Sequence, residues 1–293
     1  MMDLAGKSGW AGKAGWAALF QAVQALLPTR ARGRGRAWGG ARVGRQGFVS
    51  LVGAGAGSAD LITLRGVQRL QAADVVFYDR LADPALLAHA RRGARLVYVG
   101  KAPGQHALPQ DQISALLVQA GQAGRRVVRL KCGDPGIFAR GAEEADALTA
   151  AGVPWEIVPG VTSACAAAAS AGSFLTERGQ TERLILATGH LRHDGAQDWG
   201  HTAREGTTLA CYMGVAQAGQ IVAGLRAAGW PAGAAVEVVS KAQTAEERVF
   251  RCRLDGLEAL CGQHKGLNPA MLLIRWPLAQ ADVAALMVGA EVV

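Results

Sequence analysis

The chain has 293 residues, half of them hydrophobic and 5% aromatic, which suits one large or two ordinary globular domains built on an Ala/Val/Leu core. A net charge of +8 suggests nucleic acid, but eight of the 31 basic residues (Lys7, Lys13, Arg30, Arg32, Arg34, Arg36, Arg42, Arg45) fall in residues 1–46 against Asp3 alone. Beyond them the two signs nearly cancel, which argues against a nucleic-acid-binding body.

The segment WAALFQAVQALL allows a short amphipathic helix. It is followed by PTRARGRGR rather than by a small-residue cleavage site, so a secretory signal is not the reading. The stretch GRGRAWGGARVGRQG has no apolar period, and residues 1–46 read by default as a basic, disordered extension, with an organelle transit peptide or a mis-assigned start codon as open alternatives. No later apolar run is long and unbroken enough to span a bilayer. The five cysteines, scattered and without a CxxC pair, read as reduced thiols of a cytoplasmic protein.

From residue 48 short apolar runs alternate with helical stretches. In order the runs are FVSLVGAG, DVVFYD, RLVYVG, RVVRL, WEIV, RLILATG, TLACYMG, VEVVS, RVFRC and MLLIRW. Segments such as QISALLVQAGQAG and AGQIVAGLRAAG carry a period near 3.6 between them. This alternation predicts an α/β fold with mostly parallel strands buried on both faces. PGVTSACAAAASAG, where a strand ends and a small-residue helix begins, is the natural boundary, giving domains at 47–163 and 164–293.

Ligands of open α/β sheets bind at the carboxyl ends of strands. The residues just after the runs are Gly53–Gly57, Asp79-Arg80, Lys101, Lys131–Asp134, Pro159–Ser163, Gly189-His190, Met213-Gly214 and Ser240–Ala242, mostly glycine, small or charged. VGAGAGSADL misses the dinucleotide fingerprint, because Ser58 stands where its third glycine belongs, and no G-K-[ST] follows for a P-loop. His190, His193 and His201 are too loosely spaced, on a loop, to predict a metal site. No G-x-S-x-G elbow is present.

The ordered series VGAGAGSADLITLRG, ADVVFYDRL, YVGKAPGQH, RVVRLKCGDPGIFARGAEEA, PGVTSA, FLTERG, ATGH, YMG and NPAMLLI resembles the uroporphyrinogen-III C-methyltransferases of the tetrapyrrole methylase superfamily. The likeness covers about residues 47 to 275. It implies two α/β domains with a ligand cleft between them, a homodimer, and no metal. It further implies methyl transfer from S-adenosylmethionine to C2 and C7 of uroporphyrinogen III, giving precorrin-2 for sirohaem, cobalamin or haem d1. The extension is too short for the dehydrogenase/chelatase domain fused to some members. The resemblance places Asp79 as proton acceptor and Lys101 as proton donor. It assigns the cofactor to Gly55, Ala56, Cys132, Gly133, Asp134, Ile137, Thr162, Ser163, Met213 and Ala242. The octacarboxylate substrate falls to Arg140, Glu143 and Arg178, two guanidinium forks and a carboxylate suited to pyrrole N–H groups. Plainer roles remain open: a surface charge at Asp79 or Lys101, core packing at Met213, and dipole pairing at a helix start for Glu143 and Glu144.

The chain departs from the family pattern at Ala56, Ser58, Ala59, Cys132, Ala139, Ala142, Glu177 and the stretch SKAQT. If the position of Cys132 needs a positive φ, a non-glycine residue there is strained. Glu177 adds an anion beside Arg178, unfavourable near a polycarboxylate unless it points away or pairs with Arg178. Two rivals follow. One is an RNA methyltransferase of the same superfamily, which would need the basic extension for binding. The other is a paralogue that binds tetrapyrrole or nucleoside without turnover.

Overall fold

The computed structural model describes residues 47–100, 108–190 and 199–278. The basic extension lies outside them, as do Lys101 and His193. Ten strands are present among the described residues, one in each apolar run of the sequence. They form two five-stranded sheets. The chain divides accordingly into two compact units, residues 47–55 with 59–161, and residues 56–58 with 162–278.

The first unit holds β1 (Phe48–Gly53), β2 (Val75–Tyr78), β3 (Arg95–Tyr98), β4 (Arg126–Lys131) and β5 (Trp155–Val158), in the order β3-β2-β4-β1-β5. Every pairing is parallel, so all five carboxyl ends lie along one edge. Helices α1 (Leu64–Ala72), α2 (Gln110–Gln122) and α3 (Gly141–Ala150) cover the sheet. One face packs Val49, Leu51, Val75, Phe77 and Val127 against Ile113, Leu116, Leu117 and Leu148 of α2 and α3. The other packs Val52, Val76, Val128 and Leu130 against Leu70 of α1 and Leu86. Burial on both faces is why β1 and β2 read as nearly continuous apolar runs. α1 starts where the Thr63 hydroxyl accepts the Gly66 N–H at 3.1 Å.

The second unit holds α4 (Ser163–Ser170), β6 (Arg183–Thr188), β7 (Thr207–Tyr212), α5 (Ala218–Ala227), β8 (Ala235–Ser240), β9 (Arg248–Arg253), α6 (Leu257–Gln263) and β10 (Ala270–Trp276). Its order is β6-β7-β10-β8-β9. Only β6–β7 is parallel here; β10 runs against both β7 and β8, and β9 against β8. The expectation of mostly parallel strands therefore fails in this sheet. The reason is partly local, since the link from Ser240 to Arg248 is too short for a crossover helix and forces an antiparallel return. One face packs Leu209, Cys211, Val236, Val238, Leu272 and Ile274 under Ile221, Leu225 and Leu257, with Trp199 and Trp230. The other carries a buried ion group in which Glu237 meets Arg251 at 3.1 Å and Arg275 at 2.6 Å. No helix among the described residues is long and apolar enough to cross a membrane.

Candidate active site

At the carboxyl edge of the first sheet, Gly53, Gly133 and Gly160 bring the ends of β1, β4 and β5 into backbone contact. A Cβ on Gly160 would lie 2.3 Å from the Gly133 carbonyl oxygen, and one on Gly53 would lie 2.6 Å from the Gly160 nitrogen. Gly55 and Gly133 form an isolated bridge, Gly133 N–H donating to Gly55 O at 2.7 Å. Both have positive φ, 78° at Gly55 and 69° at Gly133. The left-handed residue of the Lys-Cys-Gly-Asp turn is thus Gly133. Among the described residues, the non-glycine positions of positive φ are Phe138, Arg140, Met213, Lys241 and Gln243, so Cys132 is free of the strain foreseen for it. Burial, with a smaller push from the Asp79 charge, raises the Cys132 thiol to about 11, which keeps it protonated and unreactive.

Asp134 braces this edge from its own turn. One oxygen accepts the Gly136 N–H at 2.7 Å and the other the Gly160 N–H at 2.9 Å. The backbone N–H of Ile137 closes the turn on Asp134 O at 3.2 Å. Arg140 follows as the left-handed residue before α3, with φ 57°. Its fork is engaged: Nε and one terminal nitrogen donate to the two Glu143 oxygens at 2.8 and 2.7 Å. The structure therefore brings together two residues assigned to the substrate, but as partners of each other, on the surface.

Asp79 follows β2. Its Oδ1 accepts the Leu81 N–H at 3.2 Å, and its Oδ2 is paired with Arg129 at 3.1 Å. Arg129 and Lys131 alternate along β4, so both point to the face covered by α2 and α3, where Glu144 sits fully buried between them. Glu144 meets Arg129 Nε at 3.2 Å and Lys131 Nζ at 2.9 Å, and accepts from Gln110 at 3.1 Å. Burial lowers the Lys131 ammonium, and the Arg129 charge lowers it further. Tyr98, at the end of β3, has its hydroxyl pKa raised by burial first and by the Asp79 charge next.

In the sequence Lys131 stood only among the strand-end residues and Glu144 only as an acid at a helix start, while Arg129 had no role assigned. The signal was there: two cations two apart in an otherwise apolar strand share one buried face, and buried cations require an anion.

In the second unit, residues 56–58 lie against the turn after β8. A Cβ on Gly57 would stand 2.2 Å from the Ala242 carbonyl oxygen. Thr162 precedes α4 and makes no side-chain cap; its hydroxyl instead meets that of Tyr212 at 2.6 Å. The first-turn amides of α4, beginning at Ser163, are thereby left without a side-chain acceptor. Met213 is half exposed in a left-handed conformation, with φ 54°, and Gly214 beside it touches Gly189. The unusual SKAQT stretch is held by its own side chains. Ser240 donates to Leu267 O at 2.6 Å, Lys241 pairs with Glu246, and Gln243 donates to Ser170 at 3.0 Å. Arg178 is exposed, and among the ion pairs of the described residues none joins it to Glu177. No group of three His, Cys, Asp or Glu able to hold a metal occurs among the described residues.

The family described as Tetrapyrrole (Corrin/Porphyrin) Methylases matches residues 49–258. The chain belongs to the tetrapyrrole methylase family. Its curated relatives include Siroheme synthase 2 of Pectobacterium atrosepticum, 44% identical over 229 residues (78% of this chain, 50% of that one). Another is Siroheme synthase of Gluconacetobacter diazotrophicus, 45% identical over 237 residues (80% and 50%). This methylase chain therefore spans about half the length of the curated relatives it matches. Among solved structures, uroporphyrin-III C-methyl transferase of Thermus thermophilus, complexed with S-adenyl homocysteine, superposes with a TM-score of 0.68 at 38% identity (78% of this chain, 97% of that one). The cobalamin biosynthetic enzyme cobalt precorrin-4 methyltransferase gives 0.69 at 30% identity (81% and 98%).

Proposed function

We propose that this chain transfers methyl groups from S-adenosylmethionine to C2 and C7 of uroporphyrinogen III, giving precorrin-2. The observation that carries the reading is the set of strand ends. The motif residues of a tetrapyrrole methylase fold here into a glycine crossing braced by Asp134, beside a carboxylate, Asp79, held by Arg129. The Thermus relative, solved with the demethylated cofactor product, supports the donor; its name and those of the siroheme synthases support the acceptor.

The residues present fit such a cofactor. Taken each by itself, the first unit offers backbone groups at Gly55, Cys132 and Gly133 and the second at Ala56 and Ala242, all behind small side chains. The uncapped first turn of α4 offers amide donors to an anionic or polar group. Met213 offers a polarizable apolar surface. When bound, S-adenosylmethionine supplies a methyl group already activated by its sulfonium.

The protein's own task is then to align the acceptor, exclude water and take up the proton that the macrocycle loses after each new C–C bond. Asp79 is the acceptor of that proton in this reading. Each of its oxygens has one partner and keeps a lone pair for it. Lys101 is carried as the proton donor. Arg140 and Arg178 take substrate carboxylates, Arg140 by exchanging Glu143 for a stronger or second acceptor.

The test is anaerobic incubation with enzymatically generated uroporphyrinogen III and methyl-labelled S-adenosylmethionine, followed by mass analysis. Two added methyl groups are expected. The Asp79→Ala protein should bind S-adenosylhomocysteine and yield little product. Absence of any transfer by the unaltered chain would remove the reading.

A further inference from the structure

Four formal charges meet behind the end of β2. The Arg129, Lys131 and Glu144 side chains are 5%, 5% and 0% exposed, whereas Asp79, at 27%, is the member that opens outward. The signs cancel. Every buried member is satisfied: Glu144 by Arg129, Lys131 and Gln110, and Arg129 also by Asp79 and by the Leu130 carbonyl at 2.9 Å.

Such a group is a poor means of stabilising a fold. Desolvation offsets the Coulomb attraction, and apolar replacements of similar volume are often neutral or better. Its shape suggests another task. Arg129 is fixed at its Nε by Glu144, and the same guanidinium reaches forward to Asp79. Lys131 is drawn back by the second Glu144 oxygen, although its charge also feels Asp79. Without Glu144 the ammonium would be free to compete with Arg129 for the Asp79 carboxylate.

We propose that Glu144 is a positioning residue for methyl transfer, fixing Arg129 and restraining Lys131 so that the Asp79 carboxylate keeps one orientation at the carboxyl end of β2. The inference rests on the methyltransferase reading above. Glu144 itself, wholly buried, acts only through its two cations.

The test compares Glu144→Gln, Glu144→Asp and the double variant Lys131→Met/Glu144→Gln with the unaltered chain. Methyl transfer to uroporphyrinogen III is counted per S-adenosylhomocysteine-binding site, measured by titration calorimetry well below the melting temperature. Glu144→Gln should lower kcat roughly ten- to a hundredfold, the scale set by misplacing a reacting group by an ångström or less, with KM for S-adenosylmethionine and the product affinity within about twofold. Removing Lys131 as well should restore most of that loss, because the competitor is gone. Glu144→Asp keeps the charge but cannot span both cations, and should show an intermediate loss if Glu144→Gln does not fold.

An unchanged kcat per binding site in Glu144→Gln or Glu144→Asp would overturn the proposal, whatever happens to the melting temperature. So would a double variant no better than the single one. Should the unaltered chain transfer no methyl group to this substrate, the functional reading fails separately. The positioning claim is then read from a crystal structure of Glu144→Gln, where an undisturbed Asp79–Arg129 pair would refute it.

Discussion

Replacing Gly160 by alanine tests the glycine crossing directly. The new methyl group would lie 2.3 Å from the Gly133 carbonyl oxygen, 2.8 Å from Gly53 Cα and 2.9 Å from Gly53 C. Ordinary contact begins at 3.4 Å, so the strand ends must part by about 1 Å. The obstacles are backbone atoms of β1 and of the turn after β4, which have no rotamer to change. The cost therefore belongs at the upper end of the overpacking range, about 3 kcal/mol. The displaced Gly160 N–H also donates to Asp134 at 2.9 Å. Weakening that bond to a carboxylate adds roughly 1 to 2 kcal/mol. Together these amount to about 4 to 5 kcal/mol, roughly 10 °C or more in Tm for a unit of this size. Gly172→Ala is the control: its φ is 63°, but nothing lies within 4 Å of a new Cβ, so only about 1 kcal/mol of left-handed strain is expected. Differential scanning fluorimetry gives the melting temperatures, and calorimetric titration with S-adenosylhomocysteine gives the affinity. Gly160→Ala should melt far lower and bind at least tenfold more weakly, while Gly172→Ala keeps its affinity. If Gly160→Ala melts within a degree of the unaltered chain, or Gly172→Ala is the more damaging, the close approach of these strand ends is not what organises the site.

Tyr212→Phe removes one hydroxyl of the 2.6 Å pair with Thr162, at a cost of about 1 kcal/mol. It should weaken S-adenosylhomocysteine binding a few-fold in the same titration. Arg140→Ala breaks an exposed pair and should shift stability by less than about 0.5 kcal/mol, while raising KM for the tetrapyrrole but not for the methyl donor. Steady-state kinetics with each substrate varied in turn separates the two. The Glu156 carboxyl is held below its ordinary 4.5 by the Arg69 hydrogen bond first, and by the Ser50 hydroxyl as well. Its folded pKa being depressed, it contributes stability in full above 4.5 and loses it as pH falls through the folded value. Chemical denaturation between pH 6 and 3 should accordingly show a shallower acid decline for Glu156→Gln than for the unaltered chain.

Much of this chain was legible in one dimension. Each of the ten apolar runs became a strand, because β-branched and apolar residues in short runs between glycine, proline and charged breaks leave the backbone little else to do. The same breaks marked the candidate site, since parallel strands deliver their carboxyl ends to one edge, and Asp79 and Cys132–Asp134 were found there.

What stayed hidden depended on strand order and on which faces meet. β10 inserts between β7 and β8 against both, a pairing between segments distant in sequence that no local pattern announces. Arg140 and Glu143 each looked free for a substrate. One helical turn sets them side by side, and opposite charges at that spacing satisfy each other first. Glu144 was indistinguishable in sequence from an exposed acid at a helix start. Only the packing of α3 on β4 buries it against Arg129 and Lys131. Local sequence thus determined where the backbone extends, coils and turns, because those preferences act over a few residues. Which acid answers the cation pair behind Asp79 was decided by tertiary structure, because a buried charge is tolerable only where a distant part of the chain supplies its partner.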